Sequence, residues 1–167
     1  MHSDTAHLDA DGPVRAAEAA ELDALAQLWH DAWRDAHAHL VPAELARHRT
    51  LERFRERLAT ALAHVRVSGP LRRPDGFCMI REDELYQLFV RAQARGAGAA
   101  AALLADGERR LAAAGIRTAW LACAIGNDRA ARFYGKRGWH RRGIVTSRLE
   151  TPDGPFLLDV WRYEKAL

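Results

Sequence analysis

One run of residues limits the folds open to this chain more than any other. A β-prone segment, Glu84 to Val90, leads into Arg95-Gly96-Ala97-Gly98, and an alanine-rich stretch from Ala99 to Ala114 follows at once. In that stretch Ala100, Leu103, Leu104, Gly107 and Leu111 recur at helical spacing, and Gly115 suits a left-handed helix end. A strand that turns through glycines straight into a helix leaves backbone N–H groups free, at the end of the helix dipole that favours negative charge. The segment therefore implies an α/β architecture, and it fits a phosphate-bearing ligand as well as a plain glycine turn before an alanine helix. Two phosphate cradles are disfavoured by spacing. No Gly-Lys-Ser/Thr follows the first glycine as a nucleotide P-loop needs. Gly96 to Ala101 matches the dinucleotide pattern only loosely, because no acid stands on the next strand candidate, Ile116 to Ala124.

The remaining elements follow from periodicity and turn chemistry. Val14 to Ala17 predicts a short strand, and Leu22, Leu25, Ala26, Trp29 and Trp33 form one apolar helical stripe that Val41-Pro42 interrupts. A second helix is expected from about Pro42 to Ala63, with a break near Thr50. Strands are predicted over His64 to Ser68, Gly76 to Arg81 and Glu84 to Val90, separated by Gly-Pro and Pro-Asp-Gly turns and by Glu82-Asp83. Ile116 to Ala124 is so continuously apolar that burial on both faces is expected. Asn127 starts a further helix that Gly138 closes, and Arg142 to Glu150 pairs with Phe156 to Glu164 as a hairpin. With 167 residues, 49% of them hydrophobic and 28% charged, the chain reads as one domain over residues 14–167 behind a loose N-terminal tail, residues 1–13.

Several function classes are excluded or disfavoured. The longest apolar stretch, Gly96 to Ala105, is far below the ~20 residues needed to cross a bilayer, so no membrane partner is expected. The first residues carry acids and histidines where a secretory signal needs basic and apolar ones, so a cytoplasmic protein is expected. Cys78 and Cys123 form no C-x-x-C pair, and His30, His37, His39 and His48 lack metal-ligand spacing, so no metal is expected. The net charge of +3, from 25 basic and 22 acidic residues, is too balanced for bulk nucleic-acid binding. Arg72, Arg73 and the cluster Arg137 to Arg142 come without an aromatic stacking motif, so no nucleic acid is expected as a partner.

A second motif makes the first specific. Asn127-Asp128-Arg129-Ala130-Ala131-Arg132-Phe133-Tyr134 continues to Gly138-Trp139, and on a helix Asn127, Ala130/Ala131 and Tyr134 share one face. Together with Leu85 to Leu104, this resembles the paired motifs of the GCN5-related N-acetyltransferase (GNAT) superfamily. There a strand ending in Val precedes Arg/Gln-x-x-Gly-x-Gly/Ala, filled here by Arg95, Gly98 and Ala100, and Asn-x-x-Ala-x-x-Phe-Tyr-x-x-x-Gly-Phe follows. The chain departs from the pattern at Ala92, usually Pro, at Ala94, often aromatic, and at Trp139, usually Phe. The resemblance covers essentially Val14 to Leu167. It implies a mixed α/β (α+β) fold whose mainly antiparallel central sheet is flanked by helices, with a splayed strand pair forming an acyl-CoA cleft.

What the resemblance implies for the site is specific. Backbone groups of Leu88, Phe89 and Val90 pair with the pantetheine arm. Amides of Arg95, Gly96, Ala97, Gly98, Ala99 and Ala100 hold the pyrophosphate, with Arg91 and Arg95 adding charge. Asn127 bonds the arm, the small Ala131 lets it lie close, and Lys136 or Arg137 meets the 3′-phosphate. Tyr134 protonates the departing thiolate. The general base is less defined, because Tyr86 and Ala122 stand where some members carry a carboxylate. Glu84 is the first candidate, sharing a face with Tyr86 and Leu88 if strand alternation holds, and Asp159 is the second. Trp33, His37, Tyr86 and Asp159 are expected around the acceptor, and Trp29 in the core.

The function implied is acetyl transfer from acetyl-CoA, as cosubstrate, to a primary amine of a small molecule or a peptide or protein. The alternative is an acyl-CoA-binding regulatory module without catalysis. A homodimer is among the assemblies open to it.

Overall fold

The structure, a computed structural model, describes residues 14–167; the expected N-terminal tail, residues 1–13, lies outside the described residues. Seven strands form one sheet in the order β1-β2-β3-β4-β5-β7-β6. They are β1 (Arg15–Ala16), β2 (Val65–Ser68), β3 (Gly76–Arg81), β4 (Glu84–Val90), β5 (Thr118–Ala124), β6 (His140–Leu149) and β7 (Phe156–Ala166). All neighbours are antiparallel except β4 and β5. The helices are α1 (Leu22–His37), α2 (Ala43–Ala46), α3 (Leu51–Ala61), α4 (Ala99–Ala113) and α5 (Asp128–Lys136).

The stripe on α1 buries Leu25, Ala26, Leu28, Trp29 and Trp33. The helix expected over residues 42–63 is two helices, because the Thr50 hydroxyl accepts a hydrogen bond from Arg53 N–H and begins α3 anew. Phe54 and Leu58 of α3 then pack with the α1 stripe, Val65, Val67, Phe77 and Met79 on one face of the sheet. The opposite face is covered by α4, whose Leu103, Leu104 and Leu111 pack with Cys78, Leu85, Leu121 and Trp139. Gly107 lets α4 lie close there, since a Cβ at that position would sit 3.0 Å from Leu85 and 3.1 Å from Cys78. Such close packing normally resists any added methyl.

Two expectations are corrected. Strand β5 is not buried on both faces. Ala119, Leu121 and Cys123 are buried, whereas Thr118 and Ala122 are exposed and Trp120 is half-buried. The α4 cluster covers one face of β5, and the other, with Trp120 and Ala122, opens on a cleft. Nor does β4 alternate simply. Consecutive Met79 and Ile80 of β3 oppose Gln87 and Leu85, so Tyr86 is an extra residue in a bulge. Tyr86 and Phe89 therefore face the α1–α3 cluster while Leu85, Leu88 and Val90 face the other. Leu88 does not share a face with Tyr86. Among the described residues no helix is long and apolar enough to cross a membrane.

Candidate active site

The sheet comes apart where it changes direction. Strands β4 and β5 are in register only at Glu84 and Trp120, reinforced by Trp120 N–H donating to the Asp83 carbonyl at 3.2 Å. Beyond that vertex the strands diverge, and a cleft of about 1010 Å³ opens between them. Along β4 the edge toward β3 is paired from Gly76 to Arg81, while the edge toward β5 is left open from Leu85 to Val90. An open strand edge is a row of donors and acceptors waiting for an extended, amide-bearing partner. Leu88, Phe89 and Val90 line the cleft at this edge.

At the outer end of β4 stands the glycine turn. Gly96 and Gly98 take φ of +82° and +90°, a conformation costly for any residue with a Cβ. The first internal bond of α4 runs from Ala102 N–H to the Gly98 carbonyl, so the amides of Ala99, Ala100 and Ala101 point beyond the helix. The Arg95 guanidinium donates to Asp35 of α1 at 2.6 Å, which also holds the Asp35 carboxyl below its usual range. Arg95 thus ties the loop to α1, and the attraction for an anion rests on the amides and the helix dipole.

Helix α5 forms the other wall. The Asn127 side-chain oxygen caps it by accepting from Ala130 N–H at 3.3 Å, and Asn127 lines the cleft. Two turns on from Asn127, Tyr134 packs against Phe133, Trp139 and Tyr163 with centroids 5.3, 6.3 and 6.2 Å away. Burial pushes its phenol above the ordinary range, so Tyr134 stays protonated at neutral pH. At the vertex, Glu84 is 6% exposed, and among the described residues Arg81, at 3.3 Å, is the one cation within 4 Å of its carboxylate. Burial raises its carboxyl above the usual carboxylate range, and the nearby Arg81 only partly offsets this.

Residues 22–139 match the acetyltransferase (GNAT) family. The chain belongs to that family. Known structures agree on the fold. A GCN5-related N-acetyltransferase from Rhodopseudomonas palustris superposes with a TM-score of 0.74 at 18% identity, over 94% of this chain and 96% of that one. A GNAT-superfamily phosphinothricin acetyltransferase from Sinorhizobium meliloti, solved with AcCoA, gives 0.68 at 17% identity over 94% and 89%. The PaiA N-acetyltransferase from Thermoplasma acidophilum, solved with coenzyme A, gives 0.65 at 16% identity over 93% and 98%. No curated protein matches the sequence.

In this acetyltransferase the cleft gathers most of the residues singled out from sequence. Glu84, Tyr86, Leu88, Phe89, Val90, Arg95, Gly96, Gly98, Ala99, Ala100, Asn127, Tyr134 and Arg137 line it, as do Trp33 and His37. Others stand apart from the lining. Ala97 and Lys136 are exposed, Ala131 packs against the α4 cluster, and Arg91 is held at 2.7 Å by Asp75. Asp159 is exposed and accepts a hydrogen bond from Thr146 at 2.7 Å, away from Glu84 and the vertex. Trp29 is wholly buried in the core and still reaches the cleft wall. Burial pushes the His37 imidazole down to about 4, leaving it neutral between Trp33 and Phe89. Sequence reasoning missed Arg49 and Arg57, which line the same cleft. Arg57 sits on the apolar-periodic second helix, one position before Leu58, and an arginine beside such a stripe was the signal available.

Proposed function

We propose that the protein transfers the acetyl group of acetyl-CoA to a primary amine in the cleft between β4 and β5. The observation that carries this reading is the single registered pair at Glu84 and Trp120, which leaves the β4 edge open all the way to the free amides of the glycine turn. An acyl-CoA matches that arrangement part for part: an amide-bearing arm for the strand edge and a pyrophosphate for the helix start. Acetyl-CoA supplies the activated acyl group, and the chain's own residues do the rest. Backbone groups of Leu88 to Val90 hold the arm, with a strand-end N–H toward the thioester oxygen. The Asn127 amide donates to the arm from the opposite wall, and Arg137 lies beside the path of the adenosine phosphates.

Glu84 takes the proton of the incoming amine, directly or through one water, as the nitrogen bonds to the thioester carbon. The resulting oxyanion is met by the strand-end N–H. When the carbon–sulfur bond breaks, Tyr134 gives its phenolic proton to the sulfur, and the products are the acetamide and coenzyme A. Tyr134 is protonated at neutral pH, as the role requires, and burial in the same pocket raises the basicity of the departing sulfur anion as it raises the phenol.

Incubation with acetyl-CoA and a panel of primary amines, read by free thiol, tests the reading, with Gly98→Val as control. Amine-dependent thiol release by the parent is expected. A valine at φ of +90° should abolish acetyl-CoA binding in calorimetry without unfolding the chain. Unchanged affinity in that variant sinks the assignment of the cofactor site. Tyr86 and Ala122, at the two positions where some family members carry a carboxylate, favour a second reading in which the protein binds acyl-CoA without transferring it. Tight binding with no thiol release for any amine would select that reading.

A further inference from the structure

At the inner end of the cleft one buried and one half-buried arginine have no countercharge among the described residues. Arg49, in the link between α2 and α3, is 8% exposed, and its guanidinium donates to the Glu150 backbone carbonyl at 3.2 Å. Arg57, on α3, donates to the Tyr86 hydroxyl at 2.8 Å and lies over the Trp29 ring at 4.4 Å. Among the described residues neither guanidinium has a carboxylate oxygen within 4 Å, whereas Arg81 and Arg162, toward the vertex, each have one. Arg81 meets Glu84 at 3.3 Å, and Arg162 meets Glu164 at 3.0 Å. Asp153, at the tip of the β6–β7 hairpin, is occupied by Arg47 and His48 at 3.2 and 3.1 Å. Burial and the neighbouring positive charge of Arg57 push the Arg49 guanidinium down to about 10, the mark of a cation with no anion beside it.

An unpaired buried charge is costly, and a pair of like charges more so, unless a ligand completes it. The pair is too far from the glycine turn to serve the cofactor phosphates. Tyr86, which Arg57 touches, is four residues before Val90, roughly 13 Å along an extended strand at ~3.3 Å per residue. It is instead close to Glu84, where an amine has to lose its proton. Resting on the acetyl-transfer reading above, we propose that the acceptor is an amine that also carries an oxyanion, a free amino acid or similar small acid, held by Arg49 and Arg57 with its amino group toward Glu84. Two guanidinium forks suit the bidentate geometry of a carboxylate or phosphonate.

The test pairs amines that differ only in charge: free amino acids and aminoalkylphosphonates against the methyl esters or amides of the same molecules. Thiol release from acetyl-CoA is the readout, and binding of the N-acetyl amino acids to the coenzyme A complex is measured in parallel by calorimetry. The acids are expected to exceed their neutral partners by roughly 10- to 100-fold in kcat/KM, the range for a hydrogen bond to a charged group. A better carboxylate than phosphonate series assigns the planar anion, and the reverse assigns the tetrahedral one. Arg57→Gln and Arg49→Gln should erase most of the preference by slowing the acids alone, with acetyl-CoA affinity unchanged. Arg57→Lys should keep part of it, which guards against a variant that loses packing on Trp29.

Equal rates for acids and esters, or a preference untouched in both glutamine variants, overturn the proposal while leaving acetyl transfer intact. N-acetyl acids that bind through the two arginines, with no amine turned over, keep the anion site and remove acetyl transfer. Neither binding nor turnover removes both.

Discussion

Glu21 and Glu84 are withdrawn from water to nearly the same degree, 2% and 6% exposed, yet their carboxyls are shifted in opposite directions. Burial works to raise both. At Glu21 it is outweighed, because Arg15 donates twice, at 2.7 and 2.8 Å, and Glu18 N–H donates at 2.8 Å, holding the carboxyl below its usual range. At Glu84 burial prevails, because Arg81 offers one long contact and also stacks on the Tyr86 ring at 3.7 Å, while Asp83 adds like charge. The first glutamate is completed by its own chain and locks β1 against the start of α1. The second is left short of partners at the vertex of the cleft. Both glutamates are desolvated, but only Glu84 is left uncompensated, and its proposed role as base rests on that difference.

The largest expected effect sharpens that contrast. Glu84→Gln should lower amine-dependent turnover by about 100-fold or more, in the range of general-base catalysis, while thermal melting at neutral pH stays level or rises because a strained buried charge has gone. Full turnover by this variant would hand the base role to water or another group. Glu21→Gln should do the reverse. It leaves Arg15 without its anion and is expected to cost about 3 kcal/mol of stability in denaturant titrations, with turnover per folded molecule unchanged. A variant at Glu21 that folds as well as the parent would break the comparison.

What was readable in the sequence divides along the same line. The glycine turn and the Asn127–Tyr134 helix are local, each held by its own backbone geometry and caps, so their residues could be placed from spacing. The bulge at Tyr86 is not local. It is imposed by the pairing of β4 with Met79 and Ile80, and it turned the expected face of Leu88 around. The open face of β5 was hidden for a related reason, since an alanine reads as apolar whether a helix covers it or a cleft does. Arg49 could not be placed at all, because its partner carbonyl at Glu150 is 101 residues away, on a hairpin that closes over the α2–α3 link.

A smaller effect comes from Tyr134, which burial shifts upward as it does Glu84, and which likewise lines the cleft. Tyr134→Phe keeps the ring contacts with Trp139 and Tyr163 and removes only the proton. Turnover should fall by at least about tenfold, the low side of general-acid effects once water substitutes in part. Acetyl-CoA affinity should change little. A phenylalanine variant with the parent rate under chemistry-limited conditions means that the thiolate leaves without an enzyme proton.

The smallest expected effect is in pH, and its sign separates the two glutamates. A carboxyl lowered by folding, as in Glu21, contributes stability that is present above its unfolded pKa, about 4.3, and is lost as pH falls through the folded value. A carboxyl raised by folding, as in Glu84, binds its proton more tightly in the native state. Its contribution favours the fold below the unfolded pKa and disappears as pH rises through the raised folded value. Comparison of the parent with Glu84→Gln across pH 4 to 8 should therefore show the variant gaining on the parent as pH rises. Glu21→Gln should lose ground over its own window, as pH rises from below the folded value toward the unfolded one. With Glu84 as the proposed base, the acid limb of kcat/KM should lie above the ordinary carboxylate range. An acid limb at or below that range, with a flat stability difference for Glu84→Gln, would mean that Glu84 is compensated after all and stands no nearer to chemistry than Glu21.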